Sequence, residues 1–158
     1  MSIVRIAIIY TVALILFPAC TSVVSPVANT ELIIDGITVT ARGSWYYRQT
    51  MYHGVVFETA VTLVVTNQSN EDLENLTAER ITLYYENTED DFATFVLADN
   101  SNTILAGTAD TIRCINRDIY TTNIETGTTL YGCLELEWKD GNGRLATPAS
   151  AVTVVYIR

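Results

Sequence analysis

The sequence predicts an all-β fold, an antiparallel β-sandwich of about seven short strands over residues 31–158. Three observations predict it. From Glu31 onward, apolar and polar residues alternate with a period of two, as strands with one buried face require. Clusters of Asn, Asp, Ser and Gly recur between the alternating runs. No stretch beyond residue 30 sustains a helical period with capping residues at its ends. A chain of 158 residues has room for one ordinary domain.

The first residues follow a different rule. Met1 to Arg5 carries one positive charge, and Ile6 to Phe17 is apolar apart from Tyr10 and Thr11. That is the layout of an export signal. A membrane-crossing helix needs about 20 apolar residues, more than this run supplies, so a cleaved signal over residues 1–19 fits better than an uncleaved anchor. Residues 20–30 follow as a tether, since "TSVVSPVANT" (21–30) is small, polar and interrupted by Pro26.

The stretch Phe17-Pro18-Ala19-Cys20 resembles the lipobox of bacterial lipoproteins. Ala19 suits the position before the cut, and Leu16 and Phe17 give bulky apolar context. The resemblance implies that Cys20 becomes the mature N-terminus and carries a lipid that holds the protein to a membrane. The alternative is an ordinary signal-peptidase cut and free secretion.

The strands follow in order. "ITVTA" (37–41) alternates β-branched and small residues. "VVFETAVTLVVTN" (55–67) sets Phe57, Thr59, Val61, Leu63 and Val65 on one face, and Val56, Glu58, Ala60, Thr62, Val64 and Thr66 on the other. "ERITLYYE" (79–86), "FATFVLA" (92–98) and "DTIRCIN" (110–116) are β-branched or aromatic. "TLYGCLELEW" (129–138) alternates most clearly, and "SAVTVVYIR" (150–158) supplies another strand. Turn signals stand between them at "NQSNEDLEN", "NTEDD", "DNSN" and "KDGNG". In the last of these, Asp140-Gly141 and Asn142-Gly143 tolerate positive φ and predict a hairpin.

Tyr131-Gly132-Cys133, followed by a hairpin and a final strand, resembles the F–G end of immunoglobulin-like sandwiches. Cys133 shares a face with Glu135 and Glu137, and the second strand has no cysteine, so the chain departs from antibody-type domains. It looks more like the immunoglobulin-like domains of exported bacterial lipoproteins, over roughly residues 57–138.

Charge and cysteines fit an exported protein. Loss of residues 1–19 removes Arg5 and no acid, leaving 8 basic and 18 acidic residues, a net of −10. Nucleic acids and anionic lipid faces reward Lys/Arg patches, so neither is expected as a partner. With Cys20 lipidated, Cys114 and Cys133 remain as a pair. Outside the cytosol they are expected to form a disulfide, with two buried free thiols as the alternative.

Catalytic chemistry finds little support. His53 is the only histidine, no serine sits in a nucleophile elbow, and no Cys/His spacing suits zinc. Glu135 and Glu137 lie on one strand face about 7 Å apart, the pattern of a solvated sheet face rather than of a glycosidase pair. Glu86, Glu89, Asp90 and Asp91 could hold a structural calcium in a loop, although the spacing is not that of an EF-hand. No other cofactor is expected.

"WYYRQTMYHG" (45–54) concentrates Trp45, Tyr46, Tyr47, Arg48, Tyr52 and His53. Exposed, these residues would form a contact surface for a sugar or a protein. That reading requires Trp45 and Tyr47 to be exposed together. The competing reading buries alternate aromatics in the sandwich. The sequence thus points to a non-catalytic cell-envelope lipoprotein, acting as a binding module for a protein or carbohydrate. The alternative is a structural envelope or assembly component that pairs through a sheet edge.

Overall fold

The computed structural model describes residues 29–50, 54–86, 88, 90–116 and 123–156. The export signal, Cys20 and most of the tether lie outside the described residues, as do Tyr52, His53 and Glu89.

The described residues are all-β. The strands are β1 (Glu31–Ile34), β2 (Ile37–Thr50), β3 (Gly54–Asn67), β4 (Leu73–Tyr85), β5 (Asp91–Val96), β6 (Asn102–Ile104), β7 (Ala109–Ile115), β8 (Thr129–Trp138), β9 (Gly141–Ala146), β10 (Ser150–Ala151) and β11 (Thr153–Tyr156). They form two sheets packed as a sandwich. The first has the order β1-β2-β3-β7, with β11 also on β2. The second has the order β10-β8-β4-β5, with β6 also on β4 and β9 also on β8. Every pair is antiparallel except β11 with β2.

Eleven strands stand among the described residues where about seven were expected. Two short ones, β1 and β6, lack a long enough alternation to register. The 150–158 run divides because it serves both sheets. Ser150 and Ala151 pair with Leu130 and Thr129 in the second sheet, and Thr153 to Tyr156 pair with Tyr46 to Gln49 in the first. Val152 sits buried at the crossing, where its N–H donates to Thr128 O at 2.9 Å and its carbonyl accepts from Gly127 N at 2.8 Å. The strand expected at 37–41 continues to Thr50, so Trp45 to Thr50 of the aromatic stretch are sheet.

Alternation decides what is buried. Along β2, Ile37, Val39, Ala41 and Trp45 face the core, while Thr38, Thr40, Arg42 and Ser44 face outward. Opposite, β8 turns Leu130, Leu134 and Leu136 inward, each fully buried. Trp45 ties the two sheets together. Its indole Nε1 donates to Leu130 O at 3.0 Å, and its ring lies against Gly43 and Gly132, where a Cβ would collide with it or with Ile81.

Turns fix the register. Asp35 and Gly36 have φ of 42° and 86°, the double positive φ that matches a two-residue turn to strand twist. The hairpin expected at "KDGNG" is present, but its turn is Lys139-Asp140, because Trp138 pairs with Gly141. No residue of that turn takes positive φ. Asn67, 1 % exposed, organises the β3–β4 connection. Its Nδ2 donates to Glu71 O and Ile104 O at 2.9 and 3.1 Å, and its Oδ1 accepts from Ser69 N and Oγ at 3.0 and 2.7 Å.

The expected disulfide is absent. Cys114 and Cys133 are both buried free thiols. Cys114 points into the core from β7 in the first sheet, whereas Cys133 lies on the outer face of β8 in the second, beside Arg144 and Glu135. No side-chain rotation joins thiols that leave two sheets in the same direction. The loop between them is short in sequence, but parity on two separate strands overrides that proximity.

Burial pushes the Cys114 thiol from 9.0 up to about 11. The unfolded chain therefore releases this proton first, and folding stability falls as pH rises from about 9 towards about 11. The limiting slope is about 1.4 kcal/mol per pH unit. Urea midpoints between pH 8 and 11 should show this decline, and Cys114→Val should make it shallower, leaving the part that Cys133 and the partly buried tyrosines contribute. A midpoint independent of pH over that window would contradict the burial of this thiol.

Candidate functional site

Strand parity splits the aromatic stretch that the sequence singles out. Trp45 and Tyr47 are not exposed together, which corrects the expectation of a shared platform. Trp45 is 1 % exposed and belongs to the core. Tyr47 is partly buried near one end of the sandwich, with its ring edge-on to Phe57 at 5.5 Å and its hydroxyl donating to Ile124 O at 2.7 Å. Phe57 in turn meets Phe92 and Phe95 at 5.4 and 5.8 Å, so this end is an aromatic cluster between the sheets.

Tyr46 and Arg48 have the opposite parity and stand on the outer face of the first sheet. There they meet residues from three other strands. Ser44, Tyr46 and Arg48 of β2, Glu58, Ala60 and Thr62 of β3, Arg113 of β7 and Val155 of β11 line an open groove of about 610 Å³. Small side chains at Ser44 and Ala60, paired across the strands, make its floor. Longer ones at Tyr46, Arg48 and Arg113 rise on either side.

Glu58 is the hub of this face. It lies directly opposite Tyr46, whose hydroxyl donates to Glu58 Oε1. Arg48 reaches it diagonally, with Nη2 2.8 Å from Oε2. Arg113 engages the Tyr46 hydroxyl from β7. A polar chain Arg48–Glu58–Tyr46–Arg113 thus crosses the strands. Burial first, then the neighbouring carboxylate, raise the Tyr46 phenol above its ordinary 10.0, with Arg113 opposing. The phenol therefore keeps its proton at neutral pH and holds Glu58 as an acceptor. Arg48 Nε is shut off from solvent without an acceptor among the described residues.

Sequence reasoning found Tyr46 and Arg48 but missed Glu58 and Arg113. A signal existed for Glu58: it is the only acid on an otherwise apolar and Thr-rich strand, and a lone carboxylate there needs a cross-strand partner. Arg113 comes to the groove only through the β3–β7 register, in which Thr62 pairs with Arg113.

The other candidate residues do not converge. Asp90 and Asp91 are exposed, and the carbonyl of Asp90 accepts from Tyr85 N at 3.3 Å. Among the described residues no three Asp, Glu, His or Cys side chains gather as metal ligands. Glu135 is bound by Arg80 and Arg144 at 3.1 and 3.2 Å, while Glu137 is exposed. The basic side chains on the outer face of the second sheet are therefore matched, with Lys139 joined to Glu74 at 2.7 Å in the same manner.

No protein-family model matches the chain, and no curated protein does. Among solved structures, similarity is found to a family 123 glycoside hydrolase from Clostridium perfringens that acts on glycolipid glycans. The TM-score is 0.37 with 9 % identity, covering 75 % of this chain and 28 % of the hydrolase, so the chain spans under a third of that enzyme. Similarity is also found to the Northeast Structural Genomics Consortium target SoR45, with a TM-score of 0.42 and 14 % identity, covering 77 % of this chain and 89 % of the target.

Proposed function

We propose that this chain is a non-catalytic, exported β-sandwich of the cell envelope, tethered through a lipid on Cys20, that binds a protein or carbohydrate on the outer face of its first sheet. The observation that carries the reading is the groove around Tyr46, Arg48, Glu58 and Arg113. It joins a tyrosine, two guanidinium groups and small hydroxyl side chains on a rigid sheet, the composition of a recognition surface. It departs from the original expectation by using only half of the aromatic stretch. The lipobox-like 17–20 segment and the absence of a catalytic constellation in the sequence support the address and the non-enzymatic role.

A photocrosslinking residue at Ser44, inside the groove, should capture a discrete envelope component in the native host. The same residue at Thr94, on the outer face of the second sheet, should not. Equal capture from both positions, or none from Ser44, would remove the first-sheet face as the site. The intact mass of the detergent-extracted protein tests the tether: the reading expects a chain that begins at Cys20 and carries acyl groups.

A second reading has its own observation. Among the described residues β11 pairs with β2 alone and exposes Val154 and Val155, so it offers an edge for strand addition. An assembly component would use that edge, and concentration-dependent self-association on sizing would distinguish it from a monomeric binder.

A further inference from the structure

The groove's charge is of the wrong sign for this chain. The protein carries 9 basic and 18 acidic residues. On the second sheet and its turn, every described basic side chain is matched: Arg80 and Arg144 by Glu135, and Lys139 by Glu74. The outer face of the first sheet is different. Arg42, Arg48 and Arg113 all point outward there, and Glu58 is the single carboxylate bound among them, held by Arg48 and Tyr46. Arg42 and Arg113 form no ion pair among the described residues. In the strand register, Arg42 faces Thr62, which faces Arg113 on its other side. These two guanidinium groups, neither matched by a carboxylate and Arg113 engaged only with the Tyr46 hydroxyl, therefore straddle one strand, with backbones about 10 Å apart.

We propose that this face binds a carboxylate-bearing glycan, a chain of uronic acid type, with Arg42 and Arg113 taking carboxylates and Tyr46, Ser44 and Thr62 contacting the sugar hydroxyls. This rests on the binding-module reading above and specifies its ligand class. Guanidinium groups match carboxylates with two parallel hydrogen bonds. A small-residue floor between hydroxyl side chains admits a flat, hydroxylated chain at close range. A dense polyphosphate backbone fits less well, because Glu58 lies at the centre of the face, held between Arg48 and Tyr46. Separated single carboxylates on a sugar chain can meet the two arginines and avoid Glu58.

The test uses the full-length protein extracted with detergent from its host. Binding is measured to immobilised polygalacturonate, to neutral dextran and to double-stranded DNA at two salt concentrations. The expected result is retention on polygalacturonate alone, weakened by salt. It should fall about tenfold or more in the Arg42→Gln/Arg113→Gln variant. Both side chains are exposed, and an unchanged circular dichroism melt would confirm that the variant folds. Equal retention on dextran, lost in Tyr46→Ala, would overturn the charged class and leave the binding module standing. Equal retention on DNA would replace the glycan by a general polyanion and overturn the proposal. Retention on polygalacturonate that ignores the arginine changes would also overturn it. No retention on any glycan, with no crosslink from Ser44, would take down both readings.

Discussion

Trp45→Ala is expected to lower the unfolding free energy by about 3–5 kcal/mol, the range found when a large aromatic leaves a tight core. Trp45 is fully buried, and its neighbours cannot close over the space it would vacate. Gly43 and Gly132 have no side chains to move into the gap, and both lie in strand ladders that hold the backbone in place. The substitution also strips Leu130 O of its indole donor across the sandwich, a hydrogen bond worth about 0.5–1.5 kcal/mol. Trp45→Phe narrows the comparison, since it keeps one aromatic ring in the core and loses the donor with a smaller cavity than alanine leaves. Urea unfolding followed by circular dichroism gives both values. A loss under about 1 kcal/mol for Trp45→Ala would mean that the sheets are held together elsewhere.

The second large effect comes from adding atoms. Gly43→Ala places a Cβ 2.2 and 2.3 Å from the indole Cη2 and Cζ2, far inside contact distance. The ring cannot slide away, because Gly132 is packed on it from the opposite sheet and Nε1 is fixed to Leu130 O. Overpacking of this kind costs about 1–3 kcal/mol, and more where rotamers are locked. The mechanism gives a sharper test than the magnitude. In a Trp45→Leu background the clashing atoms are gone, so Gly43→Ala should become nearly neutral or stabilising, because alanine loses less backbone entropy than glycine in a strand. A double-mutant cycle should return a coupling of about 0.5–3 kcal/mol. Additive losses would show that the Gly43 site is strained for a reason unrelated to Trp45.

Both effects centre on glycines inside strands, and this marks how far the sequence could be read. The sandwich was legible because 55–67 and 129–138 alternate without interruption and because nearly every inward position is apolar, Thr59 being the buried polar exception. Gly43 and Gly132 carry a readable sign too, since a glycine in a strand interior points to a close approach. What the sequence alone could not supply was the partner, as Trp45 reaches Gly43 from two residues along and Gly132 from the facing sheet, while Ile81 meets Gly132 from the neighbouring strand. The fate of "WYYRQT" turned on whether alternation continued past Ala41. Gly43 and Ser44 hide it because neither is strongly apolar or charged. Asp35-Gly36 carried a strong turn signal, yet β1 is only four residues long and its alternation is too brief to stand out. Cys114 and Cys133 illustrate the converse error. Two lone thiols invite pairing by count, and only strand parity shows that one points into the core and the other away from it. Glu58 and Arg113 became site residues through registers that no local pattern encodes.

The split of residues 150–156 between the sheets has a consequence for the order in which the molecule is assembled. Ser150 and Ala151 finish the edge along Leu130, and Thr153 to Tyr156 finish the edge along Tyr46 to Gln49, a stretch laid down more than 100 residues earlier. Neither sheet is complete until this short run arrives, and both are completed by it at once. Contacts so distant in sequence make closure slow. A chain passing N-terminus first through a pore would therefore remain unlocked until residues 150–156 had emerged, with the floor of the groove at Ser44 and Ala60 already in register but its Val155 wall still missing. The groove proposed to bind would gain its last wall only when this run docks on β2.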